Sequence, residues 1–152
     1  MQLSGQVFSG AMRGKQLIEL YHARLSGILG FQPYQGTMDI KLERAIDITH
    51  CATKALDHML IDGSRMVYAY LAPVTLIIHG QRYDCWIMQQ ADGVYSRDIV
   101  EVVAKDRLKD KFSIEDGDTV IVELTELKQP QTFMQKFVSK TKAGVKQVRK
   151  KK

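Results

Sequence analysis

At 152 residues with 45% apolar and 26% charged side chains, the chain can close one hydrophobic core and gives no sign of a second domain. Its two cysteines, Cys51 and Cys85, lack CxxC spacing, and no fourth ligand completes a zinc set with His50, Cys51 and His58, so neither a zinc site nor a disulfide scaffold is suggested and reduced, buried thiols are expected. The net charge of +5 raises the question of nucleic acid, while no run approaches the ~18 apolar residues of a membrane helix and MQLSGQVFSG has no leader pattern, so a cytoplasmic chain without a membrane partner is expected.

In chain order, Gly5 to Gly10 (GQVFSG) reads as a short strand ending at glycine, and the apolar stretch Gln16 to Leu20 reads as a second strand after a tight loop. Tyr21, Leu25, Ile28 and Leu29 fall at helical spacing and predict a helix stopped by Gly30. Phe31 to Gly36 is turn chemistry leading into a strand, Thr37 to Leu42. Residues 43 to 65 show no clean period and read as mostly irregular. Beyond them come strands Met66 to Ala72, Val74 to Ile78 and Arg82 to Met88, with a turn at His79-Gly80-Gln81, forming an antiparallel sheet. A strand at Asp98 to Ala104, a short helix at Arg107 to Phe112 and a last strand at Thr119 to Leu124, after the turn Asp116-Gly117-Asp118, complete the body. Many short strands with only two short helices, and no crossover helices, predict a mainly β fold closed as a compact barrel.

The charge is unevenly distributed. After Glu126 there are nine basic and no acidic residues, which leaves 13 basic against 17 acidic side chains in residues 1 to 126, a net of −4. One domain over 1–126 and a basic, flexible tail over 127–152 are therefore expected, the tail alternating Phe133, Phe137 and Val138 with lysines.

Three segments carry candidate chemistry. Gly10-Ala11-Met12-Arg13-Gly14-Lys15 is a glycine-bracketed turn ending in lysine, suited either to a plain hairpin or to holding phosphate oxygens with backbone N–H groups and an ammonium. Thr37 and Asp39, two apart on a strand, point to one face and are either a polar surface pair or oxygen ligands for Mg²⁺. Glu101 lies among Ile99, Val100, Val102 and Val103, where it is either the outward residue of a strand or a pocket carboxylate.

The segments VFSG, GK, LGFQPYQGTMDIKL, AP (Ala72-Pro73), DIVEVVA, RL and EDGD, taken in order, resemble the succession in the archaeal CTP-dependent riboflavin kinases. The similarity covers about Gly5 to Leu124, with Leu29 to Leu42 its most specific part. The resemblance implies a six-stranded cradle-loop barrel, related to the RIFT barrels, that uses CTP to convert riboflavin to FMN with release of CDP. It further implies that Gly10, Ala11, Met12, Arg13, Gly14 and Lys15 hold the nucleotide phosphates. Asp106, Arg107, Leu108 and Lys109 would lie against the cytidine nucleotide, Thr37 and Asp39 would coordinate Mg²⁺, and Gly93 and Glu101 would occupy flavin-contacting positions. Lys15 and Glu101 would be the catalytic side chains, acting mostly by positioning and charge neutralisation. The chain departs from the family pattern at Met12 and Arg13, at Asp39 (an asparagine in the family), at Gly93 (a threonine), and at Lys105 and Lys109 (a proline and an arginine). A monomer is expected. The rival reading is a diverged, non-catalytic barrel that binds nucleotide or flavin, or nucleic acid through its tail.

Overall fold

The computed structural model describes residues 1–10, 13–61, 65–91 and 96–128, and within these the side chains other than those of residues 13–14, 58–61 and 65–67. Seven strands and three helices follow one another: β1 (Gln2–Phe8), α1 (Arg13–Leu20), α2 (His22–Leu29), β2 (Met38–Leu42), β3 (Lys54–Ile61), β4 (Arg65–Ile78), β5 (Gln81–Gln90), β6 (Ile99–Val103), α3 (Leu108–Lys111) and β7 (Thr119–Leu124), with a 3₁₀ turn at Ile48–His50. All pairings are antiparallel, and six strands close a ring in the order β4-β5-β6-β2-β1-β7 and back to β4. The expected six-stranded barrel is therefore present. β3 stands outside the ring and pairs only with the first half of β4.

Alternation of side chains across each strand gives the barrel two cores. Leu3 and Val7 of β1, Ile40 and Leu42 of β2, Leu76, Ile87, Val100, Val102, Val120 and Val122 point inward and are buried together. Outside the wall, Leu17, Ile18 and Leu25 of the helix pair cover Leu56, Ala69, Leu71, Met88 and Val103. The strand expected over Gln16 to Leu20 is thus corrected to a helix. Leu17 and Ile18 are buried side by side on α1, while Leu20 is 69% exposed. A segment with only Leu17, Ile18 and Leu20 apolar, and Glu19 between them, is too short to distinguish the two periods by itself, and the outer core decided it. Gly30 ends α2 as expected, at φ +80° with its N–H donating to Ser26 O.

Two further elements differ from expectation. The segment taken as irregular contains β3, whose alternation is broken by a register shift between Leu56 and Met59, so no period of two is visible. The strands read as ending at Ala72 and starting at Val74 are one 14-residue strand, β4. Pro73 is tolerated within it because β4 changes partner there. Leu71 is the last residue opposite β3 and Val74 the first opposite β7, so no ladder bond on that side requires its missing N–H. Residues 129–152, most of the basic tail, lie outside the described residues. Before them, Leu127 still donates its N–H to His50 O. No helix among the described residues is long and apolar enough to cross a membrane.

Inside the ring, Gly5 faces Ile40, and a Cβ at position 5 would overlap Ile40 Cγ2 and approach Lys41 O to 3.0 Å. Gly5→Ala is therefore expected to destabilise the barrel by about 1–3 kcal/mol, read from the midpoint of denaturant unfolding; an unchanged midpoint would show that β1 and β2 can separate freely.

Candidate functional site

The register of three neighbouring strands builds the site. Phe8, near the end of β1, is opposite Asp39 on β2, and Asp39 is opposite Glu101 on β6. Since Met38, Ile40, Val100 and Val102 fill the barrel, Asp39 and Glu101 project from its outer face. Glu101 is opposite Met88, which belongs to the outer core, so the carboxylate pair lies at the margin of the region covered by α1 and α2. Both acids are buried, at 6% and 3% exposure. Neither Glu101 oxygen has a hydrogen-bond partner, and burial, followed by the Asp39 charge, pushes its pKa up to about 8. The reading of Glu101 as an outward-facing strand residue is correct in direction, but the residue is far from solvent.

Thr37 Oγ1 lies 3.4 Å from Asp39 Oδ1. Thr37 also lines a cleft of about 100 Å³ at the end of β2 and β6, together with Tyr34, Gly36, Asp106, Arg107, Leu108 and Lys109. The four residues expected against a nucleotide are thus gathered around one opening with one of the two expected metal ligands. Local bonds hold the cleft's walls. Tyr34 N donates to Ala104 O at 2.8 Å and Tyr83 Oη to Asp106 Oδ2 at 2.7 Å, while Arg107 pairs with Asp110. Burial and the bond to Asp106 push the Tyr83 phenol up to about 12, so it remains a donor.

The first loop approaches the same region. Gly10 follows β1 two residues after Phe8, and α1 begins at Arg13. Ser9 Oγ donates to Asp116 Oδ2 at 2.6 Å, and Lys109 Nζ reaches Asp116 Oδ1 at 3.2 Å, a chain of contacts from the loop to the cleft. These two partners hold the Asp116 carboxyl below its ordinary range. Lys15 is half-exposed on α1, and its described ion pair is with Glu19 at 3.9 Å, not with the Thr37–Asp39 group. Ala11, Met12 and Gly93 lie outside the described residues, and of Arg13 and Gly14 only the helical backbone is described. Sequence reasoning missed Tyr34, Tyr83, Ser9 and Asp116. Asp116 and Tyr34 were legible only as turn chemistry and as letters of the segments that carry the resemblance, and Tyr83 had no local signal.

The donors that could hold a metal, the Thr37 hydroxyl and the Asp39 carboxylate, are oxygens of the kind Mg²⁺ prefers, so the residues present fit that ion.

Taken together, a closed barrel with an apolar interior, an outer-face carboxylate pair and a polar cleft is that of a small ligand-binding β-barrel rather than a layered α/β protein. The family model described as "CTP-dep_RFKase: Domain of unknown function DUF120" matches residues 7–124, and the chain belongs to this riboflavin kinase family. It is 30% identical over 123 residues to a riboflavin kinase of Methanococcus vannielii, covering 79% of this chain and 95% of that protein. Against a riboflavin kinase of Aeropyrum pernix it is 33% identical over 121 residues, 76% and 89% of the two chains. A riboflavin kinase of Methanoculleus marisnigri is 31% identical over 133 residues, covering 81% of this chain and 57% of that longer protein.

The buried carboxyl of Glu101 has a measurable consequence. Folded, it keeps its proton up to about pH 8; unfolded, it loses it near 4.5. Between those values the native state binds the extra proton, so stability falls as pH rises, by on the order of 1.4 kcal/mol for each unit the pKa is displaced. Glu101→Gln carries no such proton. In chelator-containing buffer, its thermal midpoint should gain on that of the unsubstituted chain steadily from pH 5 to pH 8, and a pH-independent difference would contradict the burial argument.

Proposed function

We propose that this chain transfers the γ-phosphoryl group of CTP to the 5′-hydroxyl of riboflavin, giving FMN and CDP. The observation that supports this most is the strand register. It sets the end of β1, and with it the start of the first loop, beside Asp39 and Glu101, with Thr37 reaching from that pair into the cleft of Asp106 to Lys109. The family's name adds the donor nucleotide, and the names of the relatives add the acceptor.

Phosphoryl transfer asks the protein chiefly to position its reactants and to offset charge. In the proposed assignment, the backbone N–H groups from Gly10 to Gly14, at the start of α1, and the Lys15 ammonium hold phosphate oxygens, helped by the positive end of the helix. Asp106, Arg107, Leu108 and Lys109 line the nucleotide's side of the site, with Lys109 held by Asp116. Mg²⁺, held by Thr37 and Asp39, supplies neutralisation of phosphate charge. In this assignment Glu101 faces the flavin's side. Protonated below about pH 8, its carboxyl can donate a hydrogen bond to the ribityl chain, and ionised it can accept the proton of the attacking hydroxyl.

The test is a riboflavin phosphorylation assay with CTP and ATP side by side, with and without Mg²⁺. FMN formation that requires both CTP and Mg²⁺ is expected, and none with any nucleotide would overturn the proposal. Asp39→Ala should abolish Mg²⁺-dependent turnover in a folded protein, as verified by circular dichroism; unchanged FMN production would remove the metal assignment. Lys109→Ala should raise KM for CTP about tenfold, the scale of one charge-assisted hydrogen bond, and leave KM for riboflavin nearly unchanged.

A further inference from the structure

The helix pair covers only part of the barrel's outer wall. Its seal takes in Ala69, Leu71 and Met88, with Trp86 partly buried against it. Beyond it, the outer faces of β5, β4 and β7 form an open groove of about 360 Å³, which Phe31, just after α2, also lines. The register lays out its floor. Pro73 is opposite Trp86, and at the next outward level Thr75 lies between Asp84 on one side and Glu123 on the other. An apolar level thus adjoins an acidic one. Glu123 is taken up by Arg82 at 2.8 Å, whereas Asp84, among the described residues, has only the Thr75 hydroxyl, at 2.7 Å. An exposed carboxylate beside aromatic surface disfavours a polyanion and suits a partner that is both apolar and basic.

The chain carries such a partner at the groove's own rim. β7 ends at Leu124, Thr125 lines the groove, and Leu127 is held to His50 O, so the basic tail starts beside it. Residues 127–152 hold nine basic and no acidic side chains, against a net of −4 in residues 1–126. Within the tail, Phe133, Met134, Phe137 and Val138 recur at the three-and-four spacing of one helix face, with Lys136 and Lys140 at its flank. Phe133 is six residues past Leu127, about 20 Å of extended chain, enough to return over a surface that begins at Thr125. So short a tether presents the segment at an effective concentration of about millimolar, and an intrinsically weak contact then suffices.

We propose that residues 131–140 of the tail dock within the same molecule into the β5-β4-β7 groove, Phe133 and Phe137 against Trp86 and Pro73 and the lysines toward Asp84. The tail is then an internal cover for the wall that the helices leave open, not a free arm for nucleic acid. The family match ends at residue 124, and the docking stands whether or not the chain phosphorylates riboflavin.

Trp86 is the only tryptophan, so its fluorescence reports the groove directly. The experiment uses the full chain and measures quenching of Trp86 by acrylamide, a neutral quencher whose local concentration does not follow the charge of a variant. The double substitution Phe133→Ser with Phe137→Ser should raise the quenching constant about twofold, because the docked form dominates at such an effective concentration and is then lost. Asp84→Lys should do the same, whereas Glu115→Lys, an equal charge change on the turn before β7, should leave the constant unmoved. Circular dichroism verifies that each variant is folded. The protection should survive hundredfold dilution and the addition of a single-stranded oligonucleotide at physiological salt. Equal quenching in the unsubstituted chain and the double variant overturns the proposal. So does protection that disappears on dilution, which would assign the groove to the tail of a second copy, and protection that the oligonucleotide removes, which would give the tail to nucleic acid. Protection lost with the phenylalanines but kept in Asp84→Lys also overturns it, since the segment would then cover Trp86 from somewhere other than the acidic groove.

Discussion

The closure of β4 onto both β5 and β7 is the constraint on which the rest of the molecule depends. A 14-residue strand is long enough to serve β3 with its first half and β7 with its second, and the second half closes the ring. Once the ring is closed, the tilt and register of β1, β2 and β6 are no longer adjustable one at a time. A one-residue slip of β2 would turn Asp39 into the apolar interior and bring Ile40 to the outer face. The same closure that buries the valines and isoleucines therefore fixes the two carboxylates opposite one another.

The division between inner and outer faces explains why the site lies where it does. The interior is filled mainly with aliphatic side chains and, among the described residues, holds no buried acid, and the helix pair seals part of the outer wall. Asp39 and Glu101 fall where that seal ends, close enough to the helices to be dry and close enough to the first loop and the cleft to meet ligands from both sides. A carboxylate in such a place interacts strongly with any cation or donor brought to it, because little water screens it. Tertiary packing alone produces this environment.

Much of the architecture is legible in the letters. Strands β2, β5, β6 and β7 carry clean apolar patterns between turn residues, and Gly30 and the Asp116-Gly117-Asp118 turn mark the ends of elements. Illegible parts have identifiable causes. The apolar run of α1 is too short to show its period, and the bulge in β3 erases the alternation that would have revealed it. Pro73 reads as a break and becomes one only for the hydrogen-bonding partner, not for the strand. For the site, the spacing of Thr37 and Asp39 puts them on one face, but nothing local pairs Asp39 with Glu101, 62 positions away. That juxtaposition comes from strand order, which single-sequence patterns do not encode. Ser9 and Asp116 meet for the same reason.

A ring leaves few open ladders, and β3 is the one strand among those described that has a neighbour on a single side only. Such an edge is where a second polypeptide can add a strand, the usual start of unwanted self-association. Here the irregularity after Leu56 interrupts the edge, and Arg24 of α2 donates to both the carbonyl and the carboxylate of Asp57, occupying an acceptor that an incoming strand would need. The helix pair that completes the outer core thus also guards the barrel's exposed flank, so loss of Arg24 would be felt first in solubility and only later in catalysis.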